Sequence, residues 1–216
     1  MDGMLIVNNL AGLLIVTSLL VIGTHSVMAS ARWYALQSLV LVGVFITLAA
    51  TQGSTELYLW SVSAFLTKVV LVPLIMTRTL GALADREGLE SWLSPAWMIL
   101  LTALIVLLSW FAVSSVHLAV VEPLKPALAV SLGHFLLGLM CIVTQRNILK
   151  QIFGYCLMEN GAHLTLALMA SKAPELIEVG IATDAVFAVL IMALMARRIH
   201  RTLNTLDVKQ LTALKG

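Results

Sequence analysis

Residues 57–80 read LYLWSVSAFLTKVVLVPLIMTRTL. As a helix rising 1.5 Å per residue, these 24 residues span about 36 Å, enough to cross the hydrocarbon core of a bilayer. From Leu57 to Thr77 the only charge is Lys68, near the middle. A charge at that depth costs roughly 2.5–3.5 kcal/mol on insertion scales, so the helix carrying it turns it toward a partner or a wet interior. The stretch therefore predicts two things at once: a membrane helix, and a polar interior for it to face.

The rest of the chain agrees. Hydrophobic residues make up 60% of the 216, charged residues 11%, and the mean hydropathy is +1.00. A soluble domain is nearer 45–50% apolar and about 25% charged. The expected fold class is all-α: an integral membrane bundle of seven transmembrane helices, with no room for a soluble catalytic domain. The predicted spans run Met4–Thr24, Trp33–Thr51, Leu57–Leu80, Ser94–Val113, Pro126–Thr144, Ile148–Ala170 and Pro174–Ile199. Short breaks separate them at Gly53-Ser54, Ala84–Glu90, Glu122–Pro126 and Lys172–Pro174. Pro73, inside the third span, is expected to kink it or loosen a turn. The first four residues lack the basic region of a signal peptide, so the first span is expected to stay in the mature protein. Cys141 and Cys156 are too few for an iron–sulfur cluster, and no His/Cys cluster suggests zinc. No phosphate loop, catalytic triad or dinucleotide fingerprint is found.

Orientation follows from the basic residues in the loops. Arg32, Arg78, Arg86, Arg146, Lys150, Arg197, Arg198, Arg201, Lys209 and Lys215 fall on one side, Lys125 and Lys172 on the other. Ten against two places the N-terminus outside and the C-terminus in the cytoplasm. Two segments also look alike. Arg32 with Gln37 matches Arg146 with Gln151, and Thr67-Lys68 with Leu74-Ile75-Met76 matches Thr183-Asp184 with Leu190-Ile191-Met192. The pattern suggests two three-helix units joined by a connector helix: a single membrane domain divided into 1–81, 82–123 and 124–216.

Four further ionisable residues lie in the apolar runs: His134, Glu159, His163 and Asp184. Glu159 and His163 are four apart and share a helix face. A desolvated carboxylate at mid-depth is drawn toward neutrality, the condition for exchanging a proton at cell pH; the alternative is a group that only hydrogen-bonds a neighbouring helix. Lys68 and Asp184, opposite charges at matching repeat positions and both expected to face the interior, could pair or could each face water. His134 reads equally as a packing histidine. Asn8, Asn9 and Gln37 are expected to bridge helices.

Arg146-Asn147-Ile148-Leu149-Lys150-Gln151-Ile152-Phe153-Gly154, followed by an intramembrane glutamate, resembles the second helix of the K subunit of respiratory complex I and related cation/proton antiporter subunits. Glu159 and Asp184 match the two carboxylates of that family. Glu159, however, lies about one turn further from the arginine than the usual pattern, and the second position is Asp rather than Glu. Over nearly its full length the chain resembles the hydrogenase-4 component E family, through Asn8–Gly12, Lys125–Val130, Gly133–Leu139, Gln145–Gly161, Gly180–Asp184, Asn204–Asp207 and Leu211–Gly216.

That resemblance implies a bacterial inner-membrane subunit of a formate hydrogenlyase-type nickel-iron hydrogenase complex. Its implied neighbours are antiporter-like and complex I H-subunit-like membrane subunits and the lipid bilayer, with no nucleic acid. It further implies no active site and no cofactor in this chain, the nickel-iron and iron–sulfur centres residing in partner subunits. Lys68, His134, Glu159, His163 and Asp184 would then contribute to a proton pathway. The competing classes are a subunit of a multisubunit cation/proton antiporter and a structural adaptor without proton conduction.

Overall fold

The structure, a computed structural model, describes residues 2–84, 91–117, 121–170 and 175–211. Arg86, Lys172 and Lys215 of the orientation argument, and the breaks at 85–90 and 171–174, lie outside those residues. The described residues form helices α1 (Asp2–Gly23), α2 (Val27–Gln52), α3 (Thr55–Ala64), α4 (Val72–Ala84), α5 (Pro95–Ser114), α6 (Lys125–Thr144), α7 (Ile148–Met169), α8 (Glu175–Leu203) and the short α9 (Val208–Leu211). A π-helical segment, Phe65–Leu71, joins α3 to α4, and a 3-10 turn, Glu122–Leu124, precedes α6.

Local chemistry sets the helix ends. Ser26 accepts a bond from Ala29 N (3.5 Å) and starts α2 six residues before the expected Trp33. Gly53 closes α2 in the left-handed region, φ +65°, with its N–H on Ala49 O. Ser54 then caps α3 and Asn147 caps α7, accepting from Leu57 N and Leu149 N. At Pro73 the missing N–H removes an ordinary helical bond, and the turn before it widens: Val72 donates five residues back to Thr67 O. The loosened turn expected of Pro73 is therefore a π segment, and Lys68 sits inside it.

Among the described residues, six helical stretches are long and apolar enough to cross a membrane: Gly3–Gly23, Val27–Gln52, Thr55–Thr79, Pro95–Ser114, Glu122–Thr144 and Ile177–Leu203. The expected count was seven. The missing one is α7, whose 22 residues suffice in length but which carries Lys150, Gln151, Glu159, Asn160 and His163. Much of α7 is buried among its neighbours. It lies in the middle of the bundle, touching α1, α2, α6 and α8, so its polarity faces protein.

Two hairpins, α1–α2 and α6–α7, make the centre, with α3, α4 and α8 packed together beside them and α5 leaning on α6. The α6–α7 seam is closed by glycines. A Cβ on Gly138 would stand 2.3 Å from Met158 N, one on Gly154 2.9 Å from Gly138 O, and one on Gly161 2.5 Å from Phe135 N.

Most of the buried apolar side chains fall into two clusters. One holds Leu14, Leu41, Phe45, Trp60, Ala64 and Leu164. The other holds Val21, Tyr34, Val72, Leu137, Phe153 and Leu157. On each central helix the polar residues lie between its contributions to the two: Ser18 on α1, Gln37 and Ser38 on α2, Lys68 on the π segment, His134 on α6, and Glu159, Asn160 and His163 on α7. A polar layer thus crosses the bundle at mid-height.

Candidate functional site

The centre of that layer is an ion pair. Lys68 Nζ donates to both oxygens of Glu159, at 2.7 and 2.8 Å, with the lysine side chain 1% and the glutamate 13% exposed. A two-point contact of this kind is what offsets the desolvation of two buried charges. The pairing differs from the opposite-charge pair considered from the sequence repeat. Lys68 meets α7 rather than Asp184, and Asp184 lies exposed on the outer face of α8 beside Tyr155. The expectation that both repeat positions face the interior therefore holds for Lys68 alone. The outward turn of Asp184 has a plain geometric cause: Ala182, Ala185 and Val189 take the buried stripe of α8, and Asp184 falls off it.

On one side of the pair, His134 is held from two directions. Ser18 Oγ lies 2.8 Å from its Nδ1 and Gln37 Nε2 2.9 Å from its Nε2. Gln37 also donates to Ser18 Oγ (3.0 Å), and Asn160 Nδ2 reaches Gln37 Oε1 (3.5 Å) and Ser38 Oγ (3.4 Å). Four helices are stitched together here, and Gln37 bridges as expected. Asn8 bridges too, donating to Pro123 O and accepting from Ala127 N, whereas Asn9 is exposed.

On the other side, His163 Nε2 lies 2.7 Å from Glu178 Oε2, with side chains 0% and 4% exposed. The imidazole is boxed by Phe45, edge-on at 4.7 Å, and Trp60 at 5.6 Å. Glu178 was not singled out from the sequence. It lies only four residues after Pro174, the expected start of its span, where carboxylates are commonly interfacial; the apolar residues around it, Leu176-Ile177 and Val179-Gly180, were the available signal.

Lys150 corrects a second expectation. Read as a loop charge, it is instead 1% exposed, with Nζ on Val21 O (2.7 Å), Ile22 O (3.3 Å) and Ser30 Oγ (2.7 Å). Its ammonium satisfies carbonyls at the C-terminal end of α1, the negative end of that helix dipole. Arg146 pairs instead with Asp207 of the tail, where Ile148 N donates to Leu206 O (3.2 Å) and Val208 N to Arg146 O (2.8 Å). The Arg146 guanidinium also lies over the Trp92 ring (5.5 Å) and holds the Asp207 carboxyl below its ordinary range. Among the described residues no group of three or more His, Cys, Asp or Glu is placed to hold a metal ion, and both cysteines are free and buried.

These features define a class: a polytopic helical membrane protein with a charged layer buried at mid-height. Residues 126–216 match the family described as NADH-ubiquinone/plastoquinone oxidoreductase chain 4L, which takes in α6, α7, α8 and the tail. Hydrogenase-4 component E of Escherichia coli (strain K12) is 60% identical over 216 residues, covering 100% of both chains, and that of Shigella flexneri is equally similar. An uncharacterised protein of Mycobacterium tuberculosis is 23% identical over 221 residues, covering 98% of this chain and 96% of its own. No solved structure matches. The chain belongs to the hydrogenase-4 component E family.

Proposed function

We propose that this membrane subunit supplies part of a proton-translocation pathway to a formate hydrogenlyase-type nickel-iron hydrogenase complex in the bacterial inner membrane. The observation that carries the reading is the Lys68–Glu159 pair, set in a polar layer built by five elements of the bundle. A stabilising salt bridge has no need of a layer that spans the bundle; a charge that must respond to its neighbours does. Hydrogen chemistry and electron transfer belong to partner subunits holding the nickel-iron and iron–sulfur centres. Asp184, exposed beside Tyr155, is a carboxylate available to an antiporter-like or complex I H-subunit-like neighbour. His134 holds the layer together, and His163 extends it toward α8. In this reading α7 is the seventh span, the two three-helix units are duplicates, and the C-terminus is cytoplasmic.

The experiment is Glu159→Gln, and separately Lys68→Met, in sealed vesicles containing the whole complex. The expected result is hydrogen chemistry retained in detergent with loss of the membrane-potential-linked part of the activity. A nickel-iron hydrogenase should co-purify in mild detergent. One observation favours a second reading: the two-point geometry also suits a static pair in a structural adaptor. Unchanged coupling in an assembled complex would establish that reading and retire the first. Purification without a hydrogenase would point to a cation/proton antiporter.

A further inference from the structure

Among the described residues, the buried side-chain nitrogens and oxygens that lack a hydrogen bond belong to four residues, His163 and its neighbours on α3, α7 and α8: Trp60 Nε1, Asn160 Oδ1, His163 Nδ1 and Nε2, and both oxygens of Glu178. Asn160 is three residues before His163 on α7, Trp60 lies against the imidazole, and Glu178 touches it at ion-pair distance but off the N–H direction. Buried polar groups are almost always satisfied; His163 Nε2 and Glu178 Oε2 face each other at 2.7 Å, but Trp60 Nε1, Asn160 Oδ1, His163 Nδ1 and Glu178 Oε1 are left without a hydrogen bond and call for a ligand. The atom types say which. A cation site offers acceptors only and an anion site donors only. This patch has an indole N–H donor, an imidazole that offers a donor on at least one nitrogen, and amide and carboxylate acceptors. Water is the ligand that takes both, bridging two to four polar partners.

The patch also has a way out. Ser63 faces the Glu178 carboxylate without closing a bond of ordinary geometry. The same Ser63 lines an open groove of about 300 Å³ between the α3–π segment and α8, with Thr67, Val179, Thr183 and Phe187.

We infer that Trp60, Asn160, His163 and Glu178 hold an internal water site, and that Glu178 is the link by which this site connects the Lys68–Glu159 pair to the groove. The connecting role rests on the proton-pathway reading; the hydration does not. A proton arriving on the Glu178 carboxylate is passed through the bound water and His163 to Glu159, one proton in for each delivered, with Lys68 keeping its ammonium and no electron moving. Glu178 is a positioning and relay group, not a catalytic one.

Pulsed hydroxyl-radical labelling of the whole complex in its membrane reads hydration directly, because radicals form from the water at the site. Trp60 is 0% exposed, as is Phe153 in the other apolar cluster, which serves as the internal control. The expected result is modification of Trp60 well above that of Phe153. In Glu178→Leu, Trp60 should fall to the Phe153 level, while the near-isosteric Glu178→Gln, which still binds water, keeps its labelling. Equal, low labelling of Trp60 and Phe153 in the unmodified complex overturns the water site.

Coupling in sealed vesicles tests the link. Loss in Glu178→Gln alongside loss in Glu159→Gln supports it, and loss in Glu159→Gln alone overturns the role of Glu178 while the pathway reading stands. If both variants couple normally while Trp60 is still labelled, the pathway reading and the link fail and the water site survives.

Discussion

A lysine and a glutamate 91 residues apart meet in the middle of the bundle, and the cost of separating them is asymmetric. Removing one partner of a buried pair leaves the other charged and unsolvated, at about 3–5 kcal/mol, whereas replacing both with apolar groups of similar volume is near neutral. Lys68→Met and Glu159→Leu are each expected to lower the thermal midpoint of the assembled complex, and the double variant to recover most of the loss. A double-mutant cycle by scanning calorimetry measures the coupling; additive losses would mean that the pair does not hold in the complex. That both residues sit at mid-depth was legible in the sequence, because each interrupts a long apolar run. Their pairing was not, because it depends on the π turn at Phe65–Leu71 and on the rotation of α7, neither of which leaves a periodic signal. The same limit hid the burial of Lys150, whose partners are backbone carbonyls and so have no residue identity to read.

Among the elements, the α6–α7 hairpin is the most tightly closed, and glycine is the reason. Even Ala at Gly138 places a Cβ 2.3 Å from Met158 N, against backbone that cannot swing aside. Gly138→Ala is expected to separate the two helices at a cost of about 1–3 kcal/mol or more, read as reduced yield and thermal stability of the complex. Gly12→Ala is the control. Its Cβ would meet nothing within 4 Å, so the change should be neutral or stabilising by up to about 1 kcal/mol from helix propensity alone. Equal effects at both positions would dismiss the seam. Helix positions could be read from apolar run length to within a few residues, apart from the six added at the start of α2, where the Ser26 cap outweighs hydropathy. The classification of α7 is where apolarity misleads. A helix wrapped by other helices is free to be polar, so composition underrates the element that organises the site.

At the scale of the whole molecule, the tail closes the side on which α6 meets α7. With Lys150 buried, the basic-residue count changes from ten against two to nine against two, which leaves the orientation argument standing. A reporter fused after Gly216 is accordingly expected to behave as cytoplasmic; an external signal there would remove the seven-span topology. The tail is strapped down by Arg146 on Asp207, by the two backbone bonds beside it, and by Leu206, 0% exposed. Because Arg146 holds the folded carboxyl below its unfolded value, the pair's contribution is complete above the ordinary aspartate range and is lost only as the pH falls through the lowered value. A spin label at Leu211→Cys should therefore stay immobile from about pH 8 to about pH 5 and gain motion only below the ordinary aspartate value of about 3.9. Asp207→Asn should loosen it at every pH, since the amide keeps the shape but not the charge. Release between about pH 5 and pH 7 would mean that an imidazole, not Asp207, governs the strap.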